Sequence, residues 1–127
     1  MRIISLMFLL LLGQSAFALD CDKAVNTLEI NDCASIEKEK VESQLNATYK
    51  SVIQKLEHPE PEVADDYSAT KKALVEAQRA WVKFREADCD ATYTWHRGGT
   101  IRTVMYIGCM QAHAEQRIKE LKEYNSQ

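Results

Sequence analysis

Cys89 and Cys109 stand almost symmetrically about Gly98-Gly99, the first nine residues before the pair and the second ten after it. Helical periodicity runs up to the glycines on one side and away from them on the other. At a rise of about 1.5 Å per residue both sulfurs lie about 15 Å from the turn, so two antiparallel helices bring them level. A bridge there would fix the register: residues facing each other have numbers that sum to about 198 at this rise. Trp81 then opposes Arg117, Phe84 opposes Ala114 and Ala77 opposes Leu121, bulk against lesser bulk, as dense packing requires. Arg117 over the Trp81 ring would either make a cation-π contact or lie along the ring with its head in water.

The first helix of that hairpin holds the most particular stretch, Ala77 to Cys89. Leu74, Ala77, Trp81 and Phe84 recur at steps of three and four and predict one apolar stripe, with both aromatics as core; Lys72, Glu76, Arg79, Lys83 and Glu86 fall elsewhere on the wheel. Arg85 and Cys89, four and eight residues beyond Trp81, sit beside the aromatics. A guanidinium there needs a partner, either Asp88 three residues on or a carboxylate from another helix.

Four helical segments are expected in all. Residues 22–29 read as a short helix. Asn31 or Asp32 can cap a second helix that runs to about Glu57 on the stripe Val41, Leu45, Tyr49, Val52 and Leu56, before the prolines of His58-Pro59-Glu60-Pro61 stop it. The third runs from Glu62 or Asp65 to Trp95 or His96. Thr100 can cap the fourth, which carries Val104, Ile107, Gln111, Ala114, Ile118 and Leu121. No alternating run of strand length appears, so the fold expected is all-α: three long helices plus a short N-terminal one, stapled by disulfides.

The N-terminus reads as a leader rather than a folded element. Arg2, the apolar run Ile3 to Leu12 broken only by Ser5, and Ala16-Phe17-Ala18 fit a signal peptide of residues 1–18 cut after Ala18. An apolar run of about ten residues is too short to span a bilayer about 30 Å thick, so no stable membrane anchor is expected after cleavage. Asp20, where a lipoprotein signal wants a small residue before Cys21, argues against lipidation. A single domain of residues 19–127 remains, and its sixteen basic residues less Arg2, against nineteen acidic ones, give a net charge of −4. That balance speaks against nucleic acid and suits a basic protein partner.

An even set of four cysteines in a periplasmic or secreted chain favours two disulfides. With Cys89 joined to Cys109, Cys21 pairs with Cys33, each bridge closing a short loop and contributing about 3 kcal/mol in the chain-entropy model. A metal site is not expected, since there is no C-x-x-C and His113 stands alone four residues after Cys109. His58, His96 and His113 share no spacing and read as solvated or capping, and no cofactor motif is present.

Taken in order, Cys21 and Cys33, Leu45-Asn46-x-x-Tyr49, Gln78-x-x-Trp81-x-x-Phe84-Arg85-x-x-x-Cys89, Gly98-Gly99-Thr100, and Cys109 followed by Arg117 and Leu121 resemble the lysozyme inhibitor LprI N-terminal domain family. Ala114 departs from it, standing where the pattern usually has threonine. The resemblance implies a small exported helical protein of the bacterial envelope, and the family name comes from inhibition of animal-type lysozyme.

No nucleophile with a base and orienter, phosphate loop or paired carboxylates appears, so an enzyme is not expected. Two readings remain: an inhibitor bound in the cleft of a c-type lysozyme, or a periplasmic structural or stress-response interaction protein. For the first, the candidate contact is the hairpin tip with Arg97, Gly98, Gly99, Thr100 and Arg102, a rigid glycine-bearing turn with cations on both sides. The competing use of Gly98-Gly99 is a plain helix stop.

Overall fold

The structure, a computed structural model, describes residues 19–59 and 67–126. The expected leader and its cleavage point lie outside the described residues, as does the expected start of the third helix at Glu62 or Asp65. A single 3-10 turn, Cys21–Lys23, precedes three helices, α1 (Thr27–Glu57), α2 (Ser68–Trp95) and α3 (Arg102–Glu123), and no strand occurs among the described residues.

The start of α1 departs from the expected helix over 22–29 and its break at Asn31-Asp32. Asn26 caps the helix, its side chain accepting the Glu29 N–H at 3.0 Å, while the Glu29 carboxylate reaches back to accept the Val25 N–H at 3.2 Å. This reciprocal cap satisfies the first amides five or six residues early, so Asn31 and Asp32 fall inside one continuous helix of 31 residues. Its far end is as expected: the His58 N–H closes on the Gln54 carbonyl at 2.9 Å, and Pro59 has no donor to continue the ladder. The start of α3 also differs, because Ile101 rather than Thr100 occupies the cap and gives no side-chain bond.

The chain runs along α1, back along α2 and down again along α3, so the C-terminal ends of α1 and α3 lie together. Lys55 Nζ donates to the Tyr124 carbonyl at 3.1 Å, and Lys71 at the start of α2 pairs with Glu57 at 2.6 Å. The core consists of Leu45 and Val52 from α1, Leu74 from α2, and Ala114, Ile118 and Leu121 from α3, with Val41, Tyr49, Ile53, Leu56 and Trp81 packed around it. Each fully buried leucine, isoleucine or valine contributes about 1.5–3 kcal/mol. The helix α3 packs extensively on both of the others, whereas α1 and α2 touch least.

Both expected bridges are present, Cys21–Cys33 and Cys89–Cys109, with Cα–Cα separations of 5.7 and 5.6 Å. The register holds along the hairpin. Tyr93 meets Tyr106 edge-on at 6.3 Å between centroids, and the Arg117 guanidinium lies 5.9 Å from the Trp81 ring centre.

The buried face of α2, however, is not the expected stripe. Phe84 is 58 % exposed and Ala77 is exposed, while Arg85 is 8 % exposed and Cys89 fully buried. Successive residues on a helix are about 100° apart, so a seam through Leu74, Gln78, Trp81, Arg85 and Cys89 turns Ala77 and Phe84 onto the flank. Two polar residues hold core-facing positions that an apolar count assigns to their neighbours.

Candidate functional site

Two places collect the conspicuous residues, the middle of the α2 seam and the hairpin tip. In the seam, two guanidinium groups lie over the Trp81 ring, Arg85 at 4.7 Å and Arg117 at 5.9 Å from its centre. Arg85 Nη1 donates to Glu42 Oε1 at 2.6 Å, so its partner is the carboxylate of another helix and not Asp88. Arg117 Nε donates to Gln78 Oε1 at 2.9 Å and its Nη1 to Glu120 Oε2 at 2.9 Å. The Arg117 bond holds the Glu120 carboxyl below the usual glutamate range, against the opposing effect of partial burial.

Apart from Arg85 Nε, which is buried with no acceptor among the described residues, the seam is filled by side chains that engage one another. Leu45, Tyr49, Trp81 and Leu121 pack in or around the core, Gln78, Arg85 and Arg117 are engaged with carboxylate, amide and ring, and Asn46 faces outward. Nothing in this set is held ready to accept a proton from a substrate. Its chemistry is cohesion, which fixes α2 against α1 through Glu42 and against α3 through Arg117.

Asp88 has another role. His113 Nε2 and Asp88 Oδ2 are 2.7 Å apart, and the Phe84 ring meets the imidazole edge-on at 5.5 Å. The expectation of a solvated or capping His113 thus gives way to a half-buried imidazole gripped across the hairpin.

At the tip, α2 unwinds through tight turns, Arg97 N–H to the Thr94 carbonyl at 3.2 Å and Gly99 N–H to the His96 carbonyl at 3.0 Å. Neither Gly98 nor Gly99 has a positive φ. A Cβ at Gly98 would meet nothing within 4 Å, and one at Gly99 would make only ordinary contacts at 3.8–4.0 Å. The left-handed stop expected of such a pair is therefore absent. Both flanking cations are exposed, and Arg102 lays its guanidinium 5.7 Å from the Tyr93 ring centre while its Nη1 donates to the Arg97 carbonyl at 3.2 Å. Thr100 is exposed as well.

The sequence reading passed over Trp95, which is 86 % exposed at the last residue of α2. With Asp90, Ala91, Thr94 and Arg97 it lines a shallow, open groove. Its signal was its position: the seam through Arg85 and Cys89 continues past Thr92 to His96 and leaves residue 95 on the outer flank with Phe84. Glu42 was missed in the same way, as a charge beside Val41 that looks solvated until α2 supplies Arg85.

Among the described residues, no helix is long and apolar enough to cross a membrane. An uncharacterized protein of Rhizobium meliloti (strain 1021) is 33 % identical over 107 residues, covering 82 % of this chain and 77 % of the relative. No solved structure matches the chain. Residues 21–121, from the first cysteine to the last buried leucine, match the family described as Lysozyme inhibitor LprI. That is an inhibitor family and not an enzyme family, and the span takes in both bridges, the Trp81 seam and the tip; the chain belongs to the lysozyme inhibitor LprI family.

Proposed function

We propose that the protein is exported with loss of residues 1–18, persists as one domain of residues 19–127 in the periplasm or outside the cell, and inhibits a c-type lysozyme by seating its hairpin tip in the enzyme's groove. The observation that carries this reading is that the fold does not need its tip glycines: neither has a positive φ, and Gly98 has open space where a Cβ would go. A glycine that the fold does not need suits close approach by another surface.

The neighbours of Gly98 suit binding too. Trp95 and Arg97 are of the residue types that dominate interface energies, Ile101 beside them is also exposed, and the Cys89–Cys109 bridge keeps the hairpin ordered before contact. A lysozyme cuts its glycan with two carboxylates in a groove, and the Arg97 guanidinium is a suitable donor to them. The negative balance of the rest of the chain would draw in a basic enzyme.

Lysis of bacterial cell walls by a c-type lysozyme, followed by turbidity, tests the proposal. The oxidised mature protein should slow lysis, and Trp95→Ala with Arg97→Glu should abolish the effect while helicity and melting stay as in the parent. Arg102 is left in place because it braces the turn. No slowing at high micromolar parent would favour the structural or stress-response role, and full inhibition by the double variant would move the contact away from the tip.

A further inference from the structure

The Cys89–Cys109 bridge has company that neither the family match nor the inhibitor reading uses. His113 lies one turn beyond Cys109 on α3, and one ring nitrogen and the two sulfurs all fall within 4.8 Å of one another. Cys109 and His113 are four residues apart and share a helix face, while Cys89 comes from the opposing helix, so the three converge from two directions. Cys89 is buried and the other two are half-buried, which places the cluster just beneath the surface of the α2–α3 seam.

The surroundings resemble a metal centre more than a plain staple. Asp88 holds His113 Nε2 at 2.7 Å, as an outer carboxylate does when it orients a ligating imidazole and fixes its tautomer. With Nε2 so engaged, Nδ1 is the nitrogen left to ligate. The edge of Phe84, 5.5 Å away between centroids, gives an apolar wall on one side and accounts for an aromatic that the core does not bury.

We propose that the reduced form of this pair binds Zn²⁺ through the Cys89 and Cys109 thiolates and His113, with water in the fourth position. Reduction breaks the S–S bond, takes up two electrons and two protons and yields two thiols; a phosphine can supply the electrons, becoming its oxide with oxygen from water. Binding then displaces the thiol protons. Zn–S bonds of about 2.3 Å in a tetrahedron put the two sulfurs about 3.8 Å apart. Side-chain rotation supplies that spacing from Cα atoms 5.6 Å apart without moving either helix. The bridge and the metal are mutually exclusive, because disulfide sulfurs carry no thiolate charge. The site therefore takes up a thiophilic cation only when the hairpin is reduced.

The test uses the mature protein carrying Cys21→Ser and Cys33→Ser, so that only this pair titrates, reduced with a phosphine under argon and titrated with Co²⁺ as a spectroscopic stand-in. One equivalent should bind, with thiolate-to-cobalt charge-transfer bands and the visible bands of a tetrahedral ion, and Zn²⁺ should bleach them. Asp88→Asn should weaken binding roughly tenfold to a hundredfold, and His113→Ala should weaken it at least as much. The oxidised protein should show no bands. If reduction loosens the hairpin, one equivalent of Zn²⁺ should restore the lost melting temperature in the parent but not in His113→Ala. The proposal is overturned if the reduced parent shows neither bands nor restored melting, or if His113→Ala binds as tightly as the parent.

Discussion

Arg85 of α2 donates to Glu42 of α1 at 2.6 Å, and this ion pair sits where those two helices, which otherwise touch little, come together. The side chains are 9 % and 18 % exposed, and Arg85 Nε is buried without a hydrogen-bond acceptor among the described residues. Glu42→Ala strands a buried cation and should cost about 3–5 kcal/mol, whereas Glu42→Leu with Arg85→Met should be neutral or stabilising. Chemical denaturation of the three proteins would settle it; a double variant as unstable as Glu42→Ala would mean the pair contributes net stability.

Trp81 and Phe84 should respond in opposite ways to truncation, although they lie three residues apart. Trp81→Ala removes a ring packed on the core and in contact with two guanidinium groups, at a cost of about 3 kcal/mol. Phe84→Ala removes a mostly exposed ring and should cost less than about 1 kcal/mol. Equal losses by thermal melting would mean that the seam runs through Phe84 after all.

The two disulfides differ in what they hold. Replacing Cys89 and Cys109 with serine opens a loop of sequence separation 20 between packed helices and should cost about 3 kcal/mol. The other bridge ties down a 3-10 turn with no buried side chain. Its removal also frees the native segment, so the loss should be clearly smaller. A larger drop in melting temperature for Cys21→Ser with Cys33→Ser would contradict this assignment.

Acid should weaken the protein through two carboxyls. Lys71 lowers the Glu57 pKa by hydrogen bond and charge, and Arg117 lowers that of Glu120, both from an ordinary value of 4.5. A depressed folded-state pKa means that the stabilisation is fully present above about pH 4.5 and fades as the pH falls through the lowered values. Melting temperatures measured from pH 7 downwards should fall below that point, and Glu57→Gln with Glu120→Gln should flatten the fall. An unchanged slope would assign the acid sensitivity to other carboxyls.

Gly98→Ala separates fold from function at the tip. The backbone is compatible and the space open, so stability should stay level or rise by about 0.4–1 kcal/mol through a less free unfolded chain. Inhibition of lysozyme should weaken if the enzyme approaches this backbone. A loss of stability would mark the glycine as structural.

The covalent frame was legible because helical rise converts sequence spacing directly into distance. Cys89, Cys109 and the glycines between them give the hairpin its register, and Leu45, Tyr49 and Val52 reveal the inner face of α1 by recurring at helical steps. Phe84 misled because apolarity records what a residue could bury, whereas its facing depends on which neighbours the partner helix can satisfy. Glu42 and Gln78 made Arg85 and Arg117 tolerable inside, and those partners lie about 40 residues away in sequence. Asn26-x-x-Glu29 was readable as a cap, but the tighter polar pair Asn31-Asp32 drew the boundary. The readiness of Trp95 for contact needed the direction of the seam.

The helix on which both others lean, α3, is the last of the three to be made. A chain interrupted before Arg102 has Leu45, Val52 and Leu74 but not the Ala114, Ile118 and Leu121 that they close against. Its first two helices meet too little of each other to hold a core. The polypeptide therefore cannot close its core until α3 has been made, however early its first two helices appear.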